Sequence, residues 1–399
     1  MVGSEECIDF EGAETRLDFL VGKHAVEGIG VMAITKKALP DRIAILNAPS
    51  AEETVRLMKD RLAGIVPEIE IAAKGDLAFQ INQLKRQRKA VILGHNYMEP
   101  ALYHSVPDYV GDSLELSRIS AKTEADIIVF CGVQFMAETA KILNPSKMIL
   151  IPAEKAGCSL AAGIKVEDVK RLKALYPGAP VVSYVNTYAD VKAESDYCCT
   201  SGNAAGVIKF LLGKGCDRVL FLPDEYLARN TAHDMGVLFV LPPEDLEAAE
   251  INAGVNHGKP AIIGWRARCE VHELYKVEDV INARKQFPGV VILAHPECSP
   301  EVVAVADMAG STKQMVDYVK NVDAPRYLLL TECSMGDNIA AEFPNREMVR
   351  ACSLWCKHMN LITLQDTLAS LEKLQYQVEL PADIIERARL PIDRMLEIR

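Results

Sequence analysis

Polar side chains follow three apolar runs of the sequence, at places where they could contact a substrate. His95 lies at the end of AVILGHNY, Tyr184 within PVVSYVNTY, and His295 within VVILAHPEC. Continuous apolar runs of this kind are typical of parallel strands buried on both faces, whose carboxyl ends form the functional edge of the sheet. At such an edge, imidazole and phenol groups could donate hydrogen bonds to a substrate or move a proton.

Each apolar run is followed by an aspartate and, five positions later, by a hydroxyl-bearing residue at a predicted helix start. The aspartates are Asp108, Asp196 and Asp307, and the hydroxyl-bearing residues are Ser113, Ser201 and Thr312. A helix start offers unpaired N–H groups and attracts anions, so these positions could bind a carboxylate or a phosphate. Simple N-capping is the alternative role for the same hydroxyl groups, and the two roles can coexist.

The spacing of these residues indicates one unit used three times. His95 lies 13 residues before Asp108, and the same interval is 12 residues in the other two units. Met136 and Met335 lie in later strand–helix segments, each 28 residues after the aspartate of its unit. Ordered landmarks at matched spacing are typical of a repeated supersecondary unit.

The repeat selects three of the eleven cysteines. Cys158 and Cys356 lie 50 and 49 residues after the aspartate of their units. Cys269 lies 73 residues after its aspartate, so the middle unit needs an insertion of about 23 residues, which the acidic stretch PPEDLEAAEINAGVNHG could supply. Equivalent cysteines of three symmetric units would meet near a common axis.

Three converging thiolates suit three irons of a 4Fe–4S cluster and leave the fourth iron without a protein ligand. An open iron can act as a Lewis acid in a dehydration. Zinc with an open site is the alternative, although its ligands are usually close in sequence. The remaining cysteines are interpreted as small buried apolar residues, since no CxxC pair occurs: Cys7, Cys131, Cys198, Cys199, Cys216, Cys298, Cys333 and Cys352.

The composition excludes several classes of protein. With 399 residues and a net charge of −11, the chain has no basic stripe of the kind that nucleic-acid phosphates require. No apolar run approaches the roughly 18 residues that span a bilayer. The acidic start MVGSEECIDFEG lacks the features of a signal peptide. These observations predict a cytoplasmic protein that binds neither nucleic acid nor membrane, and the absence of a secretory signal argues against a disulfide framework.

The pattern predicts an α/β fold of three similar α/β units packed about a pseudo-threefold axis, with ligand sites at their junction. The predicted divisions are an N-terminal extension of unknown role (1–75), the first repeat (76–160), the second repeat (161–270), and the third repeat with a C-terminal helical segment (271–399).

Several motifs of the chain resemble those of the quinolinate synthase family over roughly residues 76–399. The matching segments are GHNY, VGDS, GVQFMAETAKILNP, YVNTYADVKAESDYCCTSGNA, HPEC and GSTKQM. The resemblance implies three α/β/α domains around a 4Fe–4S cluster with one cysteine ligand from each. Carried over by motif, the ligands are Cys158, Cys269 and Cys356, and Cys269 is supported by the match of CEVH, which includes His272.

The reaction implied by the resemblance condenses iminoaspartate with dihydroxyacetone phosphate to quinolinate, losing phosphate and two waters. The enzyme that supplies iminoaspartate is then a candidate partner. The residues expected to bind these anions are His95, Ser113, Tyr184, Asn186, Ser201, His272, His295, Glu297 and Thr312. Those expected to act in catalysis are Tyr97, Glu297, His95 and His295, with Glu297 as general acid or base.

Two other classes of function compete with this enzyme. An iron–sulfur sensor or regulator would use the cluster only to report redox state, and would not need polar groups at the strand ends. A metal-free α/β binding protein would use the three cysteines as core residues, and its preparation without oxygen would be colourless.

Overall fold

The computed structural model describes residues 41–246, 250–255, 258–350 and 353–398. The described residues form one compact unit. Of the predicted N-terminal extension, residues 1–40 lie outside the described residues, as does Cys352. No helix in the described ranges is both long and apolar enough to cross a membrane.

Three parallel sheets form the framework of this unit. The first sheet contains β1 (Ala90–His95), β2 (Tyr109–Gly111), β3 (Ile127–Cys131) and β4 (Met148–Leu150). The second contains β5 (Val181–Tyr184), β6 (Tyr197–Cys199), β7 (Arg218–Leu222), β8 (Leu238–Val240) and β9 (Ala261–Ile263). The third contains β10 (Val290–Ala294), β11 (Met308–Ala309) and β12 (Arg326–Leu330). The prediction of an α/β fold with three parallel sheets is confirmed.

Helices connect the strands and cover the sheets. Those preceding β5 are α1 (Arg42–Leu46), α2 (Ala51–Arg61), α3 (Glu68–Gln87), α4 (Pro100–Ser105), α5 (Ser113–Lys122), α6 (Gln134–Leu143), α7 (Ser159–Ala162) and α8 (Val166–Leu175). Those between β5 and β10 are α9 (Ala189–Ala193), α10 (Ala204–Gly213), α11 (Glu225–Met235) and α12 (Val277–Gln286). The last five are α13 (Pro300–Val305), α14 (Thr312–Asn321), α15 (Cys333–Glu342), α16 (Leu364–Lys373) and α17 (Ala382–Glu397).

The three sheets share one strand order at their core. β1 lies between β2 and β3, β5 lies between β6 and β7, and β10 lies between β11 and β12. In each case the central strand carries the predicted apolar run, and most of its residues are buried, as is typical of parallel strands covered on both faces. The repeated unit seen in the sequence is therefore a repeated βαβαβ topology.

The aspartate of each repeat has a structural role that the sequence did not reveal. Its side chain accepts a hydrogen bond from a backbone N–H of the central strand, at 2.7–2.8 Å in all three units. Its own N–H donates back to the carbonyl of the same residue of that strand. The pairs are Asp108 with Ile92, Asp196 with Val181, and Asp307 with Ile292. This reciprocal pair joins the loop before the second strand to the first strand.

The units differ after the third strand. The first sheet adds β4 and the second adds β8 and β9, whereas the described part of the third unit has only a single bridge between Tyr327 and Met348. The predicted insertion of the middle unit falls in the connection between β8 and β9.

Helices α2 and α3 pack against each other and against the first unit. Asn82 of α3 donates to the carbonyl of Ser105 at 2.8 Å, and Lys85 lies 2.9 Å from Asp108 Oδ1. Residues 41–87 therefore support the loop that carries Asp108.

Candidate functional site

One cavity collects residues from all three sheets, where the carboxyl ends of β1, β5 and β10 meet. The space between its walls is about 720 Å³ when the open solvent at its mouth is included. All thirteen side chains expected to ligate metal, bind substrate or act in catalysis line it: His95, Tyr97, Ser113, Cys158, Tyr184, Asn186, Ser201, Cys269, His272, His295, Glu297, Thr312 and Cys356. Residues up to 261 positions apart in sequence thus share one site.

Two of the three hydroxyl-bearing residues lie at helix starts, but neither Ser113 nor Thr312 is the capping residue. Asp112 caps α5 by accepting from Glu115 N, and Ser311 caps α14 by accepting from Gln314 N. Ser113 and Thr312 are the first residues of these helices, and Ser201 lies three residues before α10. The N-capping alternative is therefore wrong for Ser113 and Thr312, because the preceding residue caps each helix.

His95 and His295 adopt the same local geometry at the ends of β1 and β10. In each, Nδ1 accepts a hydrogen bond from the backbone N–H two residues later, at 3.2 Å and 3.4 Å. An accepting Nδ1 carries no proton, so the neutral ring carries its proton on Nε2. Burial lowers the pKa of His95 to about 4 and that of His295 to about 3. At neutral pH both rings are neutral donors.

Glu297 is the acidic centre of the cavity and is only 3% exposed. Tyr184 donates to its Oε1 at 2.6 Å, and His272 Nδ1 lies 2.8 Å from Oε2 as an ion-pair contact without good hydrogen-bond alignment. Burial alone would raise the pKa of Glu297, but the neighbouring imidazoles and the hydrogen bond from Tyr184 lower it below its usual value. The carboxylate is therefore ionised at neutral pH.

A chain of polar contacts continues from Glu297 across the cavity. His272 Nε2 lies 2.9 Å from Thr331 Oγ1, and the same oxygen lies 2.5 Å from the hydroxyl of Tyr97. His272 also stacks on His295, with ring centroids 4.6 Å apart. Burial and the charge of Glu297 raise the pKa of both Tyr97 and Tyr184 well above the usual value, so both phenols remain protonated.

The three selected cysteines share a local geometry as well as a cavity. Backbone N–H groups two and three residues later are directed at each sulfur, and these hydrogen bonds favour the thiolate. Burial nevertheless raises the pKa of Cys158 to about 12, that of Cys356 to about 11 and that of Cys269 well above its usual value. Thiolates here need a cationic partner, because burial without one keeps the thiols protonated. The donor set therefore fits a cluster held by three sulfurs.

The other cysteines among the described residues do not line the cavity. Cys131, Cys198, Cys199 and Cys298 are fully buried core residues. A mixed metal site is the remaining alternative, because one ligand atom each of Cys269, His272 and Glu297 lies within 4.8 Å of the others. In the structure His272 and Glu297 contact each other directly.

Sequence reasoning missed several polar residues of the cavity wall, among them Glu270, Glu332 and His358. Glu332 caps α15 and is 1% exposed, and burial raises its pKa to about 8. The repeat could have revealed Glu332, because Asp224 occupies the equivalent position in the second unit and caps α11. Glu270 lies 2.7 Å from Lys357 and 3.4 Å from His358, which links the segments that follow Cys269 and Cys356.

Comparison with known proteins identifies the family to which the chain belongs. Residues 79–397 match the family model described as quinolinate synthetase A protein. The chain is 48% identical to quinolinate synthase 2 of Mesorhizobium japonicum over 347 residues, covering 87% of this chain and 99% of the relative. It is 48% identical to quinolinate synthase of Agrobacterium fabrum over 339 residues, covering 85% and 90%.

A match to quinolinate synthase of Sinorhizobium fredii extends further, with 42% identity over 96% of this chain and 99% of the relative. That match reaches into residues 1–75, so part of the N-terminal extension has a counterpart. The family model, the relatives and the residues of the cavity agree: the chain belongs to the quinolinate synthase A family, enzymes that make quinolinate for NAD biosynthesis.

Proposed function

We propose that the central cavity condenses iminoaspartate with dihydroxyacetone phosphate and releases quinolinate, phosphate and two waters. The observation that carries the proposal is the convergence of three equivalent cysteines and an ionised, hydrogen-bonded glutamate on one cavity. On this proposal the three α/β units surround the cluster about a pseudo-threefold axis, with one cysteine ligand from each.

Cys158, Cys269 and Cys356 would hold the 4Fe–4S cluster. When bound, the cluster supplies an iron that can accept a substrate oxygen and assist its loss as water. The two backbone N–H groups at each sulfur would lower the charge density of the thiolates, as outer-shell hydrogen bonds do at other metal sites.

The substrates and the product carry carboxylates or phosphate, and helix starts in the cavity are suited to both. Ser113 and Thr312 begin α5 and α14, where N–H groups and the helix dipole favour an anion. Ser201, in the turn before α10, offers a third hydroxyl. His95 and His295 would add Nε2–H donors to the same oxygens, and Asn186 would add an amide.

Glu297 is suited to take a proton from a substrate carbon or nitrogen, because it is ionised and buried. The proton would reside on its carboxylate, with Tyr184 and His272 holding that group in place. Tyr97 keeps its phenolic proton, so it would donate a hydrogen bond to an oxygen that gains negative charge. Glu297 would remove a proton and Tyr97 would stabilise the negative charge that forms. Tautomerisation and dehydration need both of these actions.

The test is anaerobic turnover. Cluster-loaded protein with iminoaspartate and dihydroxyacetone phosphate should give quinolinate, detected by mass, and omission of either substrate should abolish it. A redox sensor is the second candidate, and it would contain a cluster but give no quinolinate. A loaded protein without turnover would therefore contradict the proposed function.

A further inference from the structure

The three residues that lie two positions beyond His95, Tyr184 and His295 are Tyr97, Asn186 and Glu297. They occupy equivalent places in the repeat, and all three line the cavity. We call them the tip residues, because each lies in the loop just after a central strand. The backbone on both sides of each tip residue is held by one buried side chain, and the same arrangement occurs three times.

At Tyr97 the buried side chain is Asn338 of α15. Its Nδ2 donates to the carbonyl of Asn96 at 3.0 Å and to the carbonyl of Met98 at 2.8 Å. These two carbonyls flank Tyr97, and Asn338 is only 3% exposed. The third unit thus fixes a loop of the first.

At Glu297 the buried side chain is Asn230 of α11. Its Nδ2 donates to the carbonyl of Pro296 at 2.8 Å and to that of Cys298 at 3.0 Å. Asn230 is 5% exposed and follows the cap of its helix by six residues, as Asn338 does. The second unit thus fixes a loop of the third.

At Asn186 the donor is the fully buried ammonium group of Lys192 in α9. Its Nζ donates to the carbonyl of Val185 at 2.8 Å and to the carbonyl of Thr187. Glu138 of α6 attracts this ammonium group, and its carboxylate also accepts from the N–H of Ala189 at 2.8 Å. Through Lys192 and Glu138, the first unit supports a loop of the second.

Two of the three contacts cross between units, from the third unit to the first and from the second to the third. Lys192 belongs to the same unit as its loop, and the first unit contributes there through Glu138. A buried donor shared between two carbonyls has no water to replace it, so losing it leaves both carbonyls without a partner. Fixing the peptides on both sides of a residue restricts its backbone, and a shift of about 1 Å in a catalytic group can cost about a hundredfold in rate.

We infer that Asn338, Lys192 and Asn230 are positioning residues, each of which holds one tip residue in its working orientation from outside the cavity. The inference deepens the proposed function and rests on it for its kinetic part. Its structural part, that the donors restrain the loops, does not depend on the proposed function. The structural part and the kinetic part can therefore fail separately.

The structural part is tested by hydrogen–deuterium exchange of the cluster-loaded protein. Asn230→Ala should speed exchange in peptides covering 295–299 at least about tenfold and leave 95–99 unchanged, because each donor serves one loop. Asn338→Ala should do the reverse. Asn82→Ala is the matched control, since it removes a buried amide that donates to a single carbonyl outside the cavity, and both loops should be unaffected.

The kinetic part is tested by a double-mutant cycle. Asn230→Ala should lower kcat roughly 10- to 100-fold with KM changed less than about threefold, whereas Asn82→Ala should leave both unchanged. In a Glu297→Gln background, Asn230→Ala should add less than about threefold, because it acts through Glu297. Asn230→Asp, of nearly the same shape, should also lower kcat, and it replaces the alanine variant if that one fails to fold.

Loop exchange in Asn230→Ala that equals wild type would overturn the inference. An equal loss of kcat with and without Glu297 would overturn it as well, because the effect would not pass through that residue. If wild type itself makes no quinolinate, the proposed function fails, while the exchange experiment still decides whether the loops are held.

Discussion

At the scale of single residues, the cavity combines groups that burial keeps neutral with one carboxylate that its neighbours keep charged. Burial favours the neutral forms of His95, His295 and both tyrosines, whereas the Glu297 carboxylate accepts a hydrogen bond from Tyr184 and contacts His272, which lower its pKa. The result is one carboxylate base among several hydrogen-bond donors. Such separation of acid and base roles by environment is how enzymes conduct proton transfer near neutral pH.

Replacement of Glu297 by glutamine should lower kcat about 10²- to 10⁴-fold and leave KM within a few-fold of wild type. Glutamine keeps the size and can still accept from Tyr184, but it cannot take the proton. Steady-state kinetics with both substrates would measure this, and spectra of the cluster should be unchanged. A glutamine variant that keeps at least half of the wild-type kcat would contradict the role of Glu297 as the base.

The histidines make the stability of the fold sensitive to acid. His95 has a pKa of about 4 in the folded chain, compared with 6.5 for an unperturbed histidine. Between these values the unfolded chain binds the proton and the folded chain does not, so stability is complete above pH 6.5 and is lost as the pH falls. His95 alone should account for about 2 kcal/mol lost between pH 7 and pH 5.

Anaerobic denaturant unfolding of wild type and His95→Gln at several pH values would measure this contribution. The variant should show a shallower loss of unfolding free energy with acid. Equal slopes over pH 5–7 would contradict the burial of a neutral imidazole at this position.

At this scale, the sequence predicted the side chains that lie at the ends of the repeated strands. Sequence reasoning identified His95 and His295 by their type and by their place in the repeat. It missed Thr331, Asn230 and Asn338, because their roles depend on which helix of one unit lies against which loop of another. The spacing of residues along the chain does not show which helix and which loop are in contact.

At the scale of elements, the repeated aspartate fixes the geometry of each unit. Its carboxylate and its own N–H pair with one residue of the central strand, which sets where the second strand and the following helix begin. The helix then starts at the cavity wall, with Ser113 and Thr312 as its first residue in two of the units. The aspartate in the sequence pattern is therefore a structural residue, and the hydroxyl five positions later faces the site.

The cost of losing this aspartate should depend on its surroundings. Asp196→Ala removes a hydrogen bond to a strand N–H and should lower the free energy of unfolding by about 1–2 kcal/mol. Asp108→Ala should cost about 3 kcal/mol or more, because it also leaves Lys85, a largely buried ammonium group, without its carboxylate. Denaturant unfolding of both variants would compare them, and equal losses would contradict the importance of the Lys85 pair.

At the scale of the whole molecule, three sheets of the same strand order bring residues of distant sequence positions to one cavity. Cys158 and Cys356 followed from the spacing of the repeat, Cys269 followed once an insertion and the CEVH motif were allowed for, and the structure places all three in the cavity. The additional strands β4, β8 and β9 did not follow, because they lie outside the shared pattern. The shared core was predictable because the same residue types recur at matched spacing in each unit. The additional strands differ between units, so the repeat could not predict them.

The most direct measurement of this account is the iron and sulfide content of cysteine variants prepared without oxygen, together with quinolinate formation. Replacement of Cys158, Cys269 or Cys356 by alanine should each abolish turnover and remove most of the cluster. Cys216→Ala is the control, because Cys216 is partly buried and lies outside the cavity, and it should keep both iron and activity. A Cys269→Ala variant that retains a full cluster and makes quinolinate would contradict the account.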